Sequence, residues 1–125
     1  MFSIYKRFIP GTEPFEHLAG AQGLACGTAA VYSGGSLAKC GATQRPSHIV
    51  AGQRTEQGEY PAIPVLATTV FATTAGATAA KSLIGSCVTL NATADGVTAT
   101  TEKGVFCITQ TDEADGGGVV KGYFA

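Results

Sequence analysis

Between Gly85 and Phe124 apolar and polar side chains alternate in short runs, and each break between runs carries turn residues. Val88 and Leu90 alternate with Cys87 and Thr89, a period of two that places the two aliphatic side chains on one face of an extended strand. Asp95-Gly96 is expected to turn the chain through positive φ angles into a β-branched run, Val97 to Thr101. Lys103-Gly104 turns it again into Val105 to Thr109, where Phe106 and Ile108 share the side expected to face a core. An acidic, glycine-rich loop, Asp112 to Gly118, leads to a last strand at Val119 to Phe124. The pattern predicts a β-meander whose apolar face must be buried against the rest of the chain.

Upstream, the runs are also short. Thr28 to Tyr32 and Leu37 to Cys40 flank Ser33-Gly34-Gly35-Ser36, a hairpin with a Gly-Gly turn. Ser47 to Ala51, Ala62 to Ala67 and Val70 to Thr73 read as further strands, and Pro61 and Pro64 argue for an edge position because proline cannot donate to a ladder. Pro14 to Leu18, with Thr12 as N-cap and Glu13 and Glu16 in the first turn, predicts a short helix ending at Gly20. Thr74 to Leu83 is expected to hold one helical turn or more before Gly85. Turn signals every eight to twelve residues predict an all-β fold, a small barrel or sandwich with little helix.

The first ten residues have a different pattern. Phe2, Ile4, Tyr5, Phe8 and Ile9 crowd around Lys6 and Arg7, and Pro10-Gly11 breaks the segment off. Residues 1–11 are therefore expected to form an arm on a single β-rich domain, residues 12–125. Two readings stand side by side: an edge strand of the domain's own sheet, or a segment that docks on another subunit. In the second, Phe2, Ile4, Tyr5 and Phe8 are the anchors, and Lys6 and Arg7 pair with acidic groups at the rim.

Composition narrows the partners. A net charge of −1 and 14% charged residues leave no basic field for nucleic acid or an anionic membrane. No apolar run approaches the roughly 20 residues that span a bilayer. Lys6-Arg7 follows the first aromatics, the reverse of a signal peptide, so no export is expected. Cys26, Cys40, Cys87 and Cys107 stand singly without C-x-x-C spacing, which favours buried free thiols. Two disulfides are compatible with the count, and three pairings are open.

No residue pattern names a reaction, a metal or a cofactor. His17 and His48 have no second ligand or catalytic partner at a recognised spacing, and each is expected to be structural. Asp112, Glu113 and Asp115 lack the order of a calcium loop and are expected to be solvated. Gly116 to Gly118 opens no helix and has no following Lys-Ser/Thr, so no phosphate is expected there. Asn91-Ala92-Thr93 matches a glycosylation sequon, which carries little weight without an export signal.

The order of the pieces carries a resemblance. Gly27-Thr28-Ala29 and Gly34-Gly35-Ser36-Leu37 are followed by Arg45 to Ile49 (RPSHI), Gly58 to Val65 (GEYPAIPV) and Val70 to Thr73 (VFAT). Gly85 to Leu90 (GSCVTL), Asp95 to Thr101 (DGVTATT), Gly104 to Phe106 (GVF) and Val120 to Phe124 (VxGxF) complete the series. From about Phe15 onward the chain resembles the head decoration, or cement, proteins of tailed phages and prophages, which have a β-tulip domain. The resemblance implies a structural protein of the virion, made in the host cytoplasm, that binds the outside of the assembled head. Its partners would be the major capsid protein and copies of itself in a trimer. It implies no enzyme activity, no cofactor, no nucleic acid, no membrane and no small-molecule substrate. The pieces are turn and strand signatures, so no family site transfers to particular residues. A rival reading is a small β-sandwich binding module, either carbohydrate-binding or a carrier domain with Lys103 as the modified hairpin lysine. Zero tryptophans and four scattered tyrosines count against the sugar platform.

Overall fold

Alternation sorts the strand side chains onto two faces, and the apolar faces of two sheets meet in the core. The structure is a computed structural model that describes residues 1–7, 16–75, 81–112 and 118–125, with the backbone alone at Lys6, Arg7 and Lys81. One sheet has the order β1-β7-β10-β9-β8, built from β1 (Ser3–Arg7), β7 (Thr69–Thr74), β10 (Val119–Phe124), β9 (Phe106–Thr111) and β8 (Cys87–Val88). The other has the order β2-β6-β5-β3-β4, from β2 (Glu16–Ala19), β6 (Glu59–Pro64), β5 (His48–Val50), β3 (Ala29–Ser33) and β4 (Ser36–Lys39). All these strand pairs are antiparallel. The only helix among the described residues is a 3₁₀ turn at Lys81–Leu83. The protein is thus an all-β sandwich. The curled second sheet brings its edges together at one isolated bridge, Gly20 to Leu37, and no closed barrel forms.

The main core lies between the sheets and is centred on four phenylalanines. Phe124 has ring centroids at 5.1 Å from Phe2, 5.1 Å from Phe106 and 5.5 Å from Phe71, in the tilted and edge-to-face arrangements that aromatic quadrupoles favour. Ile49, Ile63, Val88, Leu90, Val97, Ile108 and Val120 close around them. Phe106 and Ile108 both reach this core, as their spacing predicts. The second sheet is apolar on its other face too: Ala30, Val50 and Ala62 alternate with the core residues Ala29, Ile49 and Ile63, and form a smaller cluster with Leu37 and Tyr60. Leu24 packs against that cluster, and the Tyr60 hydroxyl donates to the Ala21 carbonyl (2.7 Å) and accepts from the Leu24 N–H (3.3 Å).

The Gly-Gly hairpin forms as expected. Gly34 and Gly35 have φ of 63° and 82° between the paired ends Ser33 and Ser36, a conformation that costs a residue without Cβ little. The meander is also present as β8, β9 and β10. Its internal turns are built differently from expectation: the positive φ falls on Ala94 (56°) and Lys103 (57°), one or two residues ahead of the glycines. Gly104 is needed for space, since a Cβ there would fall on the Cys87 carbonyl group.

Several elements depart from the sequence pattern. Residues 16–18, expected at the end of a helix, belong to β2, because pairing Glu16 with Ala62 and Leu18 with Tyr60 gives the backbone sheet partners that outweigh a local capping signal. The rest of that segment, and Phe8 to Gly11, lies outside the described residues. β6 is interior. Its ladder with β5 runs from Ala62 to Pro64, so Pro61 falls beyond the end of that pairing, and its carbonyl accepts from the Ala51 N–H (2.8 Å). Val97 to Thr101 forms no strand. Val97 makes bridges to Ala75 and Leu90, and then the Thr98 hydroxyl takes the Thr100 N–H (3.1 Å), a local bond that competes with a ladder.

The cysteines divide three ways. Cys87 and Cys107 sit opposite each other in the β8–β9 register and form a disulfide, against the expectation of free thiols. Cys40 is a buried thiol as expected; it donates to the Gln44 carbonyl (2.9 Å), and burial pushes its pKa up to about 11. Cys26 is free but exposed. The disulfide closes a 20-residue separation, so reduction should cost about 3 kcal/mol by the loop-entropy relation. Thermal unfolding with and without reductant would measure it, and identical midpoints would show that β8 is held by packing alone.

Candidate functional site

β1 decides where the expected anchors go. It pairs with β7 through Ser3–Ala72 and Ile4–Phe71, with an irregularity between Ile4 and Lys6. The segment is therefore an edge strand of the domain's own sheet, the first of the two readings. Phe2 cannot serve as an external anchor, because it is 2% exposed and lies edge-on to Phe106 at 5.6 Å. Its N–H donates to the Gly27 carbonyl (2.9 Å), and the Met1 ammonium donates to the Asp95 carbonyl. Ile4 packs partly buried against the main core. Tyr5 alone of the described anchor side chains stands out, 51% exposed. Lys6 and Arg7 lie in β1, and Phe8 lies outside the described residues.

Tyr5 belongs to a larger surface. In β10 the burial pattern alternates, with Val120, Gly122 and Phe124 inside and Val119, Lys121 and Tyr123 outside. The Lys121 ammonium sits 3.9 Å above the Tyr5 ring, within cation–π range. Tyr123 is 38% exposed and pairs with Cys107, which is bonded to Cys87. On β7, Val70 lies on the opposite face from the core residue Phe71, and the printed register carried on by one residue sets it beside Tyr123. Tyr5, Val70, Tyr123 and the Cys107–Cys87 pair thus form a row across five strands on the outer face of this sheet, in which Tyr5 and Tyr123 are exposed and Val70 and Cys107 are buried. Lys121 and Val119 continue the face along β10. Tyr123 and Lys121 were not singled out from the sequence, although the alternation Val119, Lys121, Tyr123 was legible there.

The other groups with chemical potential fall elsewhere. His48 bridges Glu16 through Nε2 (2.9 Å) and Ser47 through Nδ1 (2.9 Å), joining β2 to β5 across β6. The contact order matches a carboxylate–histidine–serine relay. The Ser47 hydroxyl, however, accepts from the Tyr32 N–H (2.8 Å), and the Ser47 N–H is used by the Ala30 carbonyl (3.0 Å), so that N–H cannot serve an oxyanion. His17 is exposed on β2. Lys103 is exposed at its turn, and Glu113 and Asp115 lie outside the described residues. Among the described residues no group of three His, Cys, Asp or Glu side chains is placed to hold a metal.

A cleft of about 580 Å³ opens beside the 21–25 loop, lined by Leu24, Leu37, Lys39, Thr93 and Asp95 among others. Lys39 is committed there to the Ala92 carbonyl (2.9 Å). The Asp95 carboxylate accepts from Thr93 (2.6 Å) and Asn91 (3.1 Å), and these bonds hold its pKa below the ordinary value of 3.8. The same turn accepts the Ala29 N–H (2.7 Å) and the Thr73 hydroxyl (3.1 Å), so it fastens both sheets together. Its polar groups are spent on the fold. No family model, curated protein or solved structure matches the chain.

Proposed function

We propose that this chain is a head decoration protein of a tailed phage or prophage, a non-catalytic domain that attaches to the outside of the assembled shell and clamps neighbouring capsid subunits, as a trimer on the shell. The observation that carries this reading is the pair of exposed tyrosines, Tyr5 and Tyr123, with exposed Val119 on the outer face of the β1-β7-β10-β9-β8 sheet. Its strands are joined by continuous antiparallel ladders. Large amphipathic side chains on a rigid support are the usual anchors of a protein interface. A small all-β sandwich and the series of turn and strand signatures from Gly27 to Phe124 agree with it. A lattice of many copies needs only modest affinity at each contact.

The test is to delete the gene from the encoding phage, purify heads, and add the full-length chain back. Saturable co-sedimentation at a fixed copy number per capsid subunit, with heads that then survive a higher temperature, is the expected result. Heads that bind none of the added chain would overturn the proposal.

A further inference from the structure

We propose that residues 21–26 form a strap that opens on the otherwise intact fold, and that the hydroxyl of Tyr60 is its latch. The inference stands apart from the decoration reading and does not depend on it.

Both ends of the strap are fastened. At Gly20 the N–H donates to the Gly58 carbonyl (3.2 Å) and the carbonyl accepts from Arg54 Nε (3.0 Å). At Gly27 the N–H donates to the Val50 carbonyl (2.7 Å) and the carbonyl accepts from the Phe2 N–H (2.9 Å). Between these points the fastening is sparse. The Thr28 N–H closes a local turn on the Ala25 carbonyl (3.2 Å). Beyond that turn, the hydrogen bonds that join Ala21 to Cys26 to the body, among the described residues, are the two at Tyr60, whose hydroxyl donates to the Ala21 carbonyl and accepts from the Leu24 N–H. A single oxygen atom carried by β6 therefore holds the middle of the segment.

The apolar hold is equally narrow. Leu24 is the one strap residue that is partly buried, against the small cluster that contains Leu37 and Tyr60, and its neighbours in the strap are exposed. Space is open on both sides. The cleft of about 580 Å³ and a second of about 300 Å³ share Gln22, Gly23 and Leu24 as walls, with Leu37 lining the first and Tyr60 the second. The strap is thus a partition between two hollows, and lifting it joins them into one groove floored by the apolar cluster. Gly23, at a φ of 99° with nothing within 4 Å of the place a Cβ would take, is a pivot with no neighbour to clear. Segments with few buried apolar contacts and few hydrogen bonds open at a free energy below that of global unfolding. Opening here gives up the partial burial of Leu24 and two hydrogen bonds, while the strand ladders and the aromatic core stay in place.

Thermolysin, which cuts on the amino side of large apolar residues, reads the opening at the Gly23–Leu24 bond. Its rate on the full chain is measured against urea at concentrations below the unfolding transition. Local opening exposes little surface, so the rate should be nearly flat. Tyr60→Phe keeps the ring in the cluster and removes the latch, so the same bond should be cut at least about 10-fold faster, again without a urea slope. Hydrogen exchange at the Gly27 N–H should be as slow in this variant as in the parent, because the end of the strap remains fastened.

A parent rate that climbs with urea along the slope of global unfolding would show that the strap leaves only with the whole fold. Equal cutting of Tyr60→Phe and the parent would show that the hydroxyl is not the latch, and faster exchange at Gly27 in the variant would show that this oxygen holds the sheet and not the strap. Each of these results overturns the proposal. The urea series on the unaltered chain decides whether the strap opens alone even where Tyr60→Phe folds poorly.

Discussion

A chain lacking residues 1–7 should melt at least about 10 °C below the full-length protein. Three losses act together. Phe2 leaves the centre of the aromatic cluster, where it touches Phe106 and Phe124, and removing a buried phenylalanine ring costs about 3–5 kcal/mol. The β1–β7 ladder disappears, together with the bonds from Phe2 to Gly27 and from the Met1 ammonium to Asp95. Last, the freed edge of β7 exposes unpaired backbone groups to neighbouring chains, which favours association. At this chain length each kcal/mol is worth roughly 4 °C in melting temperature, so the phenylalanine alone accounts for the stated shift. Calorimetry of the two proteins measures it. A truncated chain that melts within about 2 °C of the parent would mean that the segment contributes nothing to the fold and is free to dock elsewhere.

Phe124→Ala should cost about 3–5 kcal/mol, a large share of the roughly 5–15 kcal/mol that holds a domain together. Phe124 is 1% exposed and is the one ring in contact with the other three, so its loss leaves a cavity that Phe2, Phe71 and Phe106 cannot all move to fill. Its neighbour Tyr123 points the other way, and Tyr123→Ala should cost less than about 1 kcal/mol. Urea unfolding of both variants compares the two faces of one strand directly. Equal losses would show that β10 is buried on both sides, which would remove Tyr123 from any binding surface.

Much of the local architecture is legible in the residue order. Alternation at Phe106 and Ile108, the paired glycines at 34 and 35, and the runs at Val119 to Phe124 depend on side-chain period and on backbone freedom, both of which act within a few residues. For the same reason the outward set Val119, Lys121 and Tyr123 could be read from sequence. Its neighbours could not, because nothing local says that β10 lies inside the sheet between β7 and β9, with Tyr5 close enough to meet Lys121.

Side-chain period and turn residues are enough to read the all-β class, the approximate place of several strands, and which side of them is apolar. Which strands are neighbours is settled by packing across the whole chain. Any strand edge offers the same N–H and C=O groups, so pairing is chosen by which arrangement buries the most apolar surface over the whole chain. That choice put Phe2 in the core and left Tyr5 outside, drew Glu16 to Leu18 into a strand, and made β6 interior despite its prolines. It set Cys87 opposite Cys107, a pairing that four isolated cysteines could not specify. It also spent Asn91, Thr93 and Asp95 on shaping a turn that fastens two sheets, because the turn's backbone carbonyls at Ala94 and Asp95 meet Ala29 and Thr73 only after distant segments have packed.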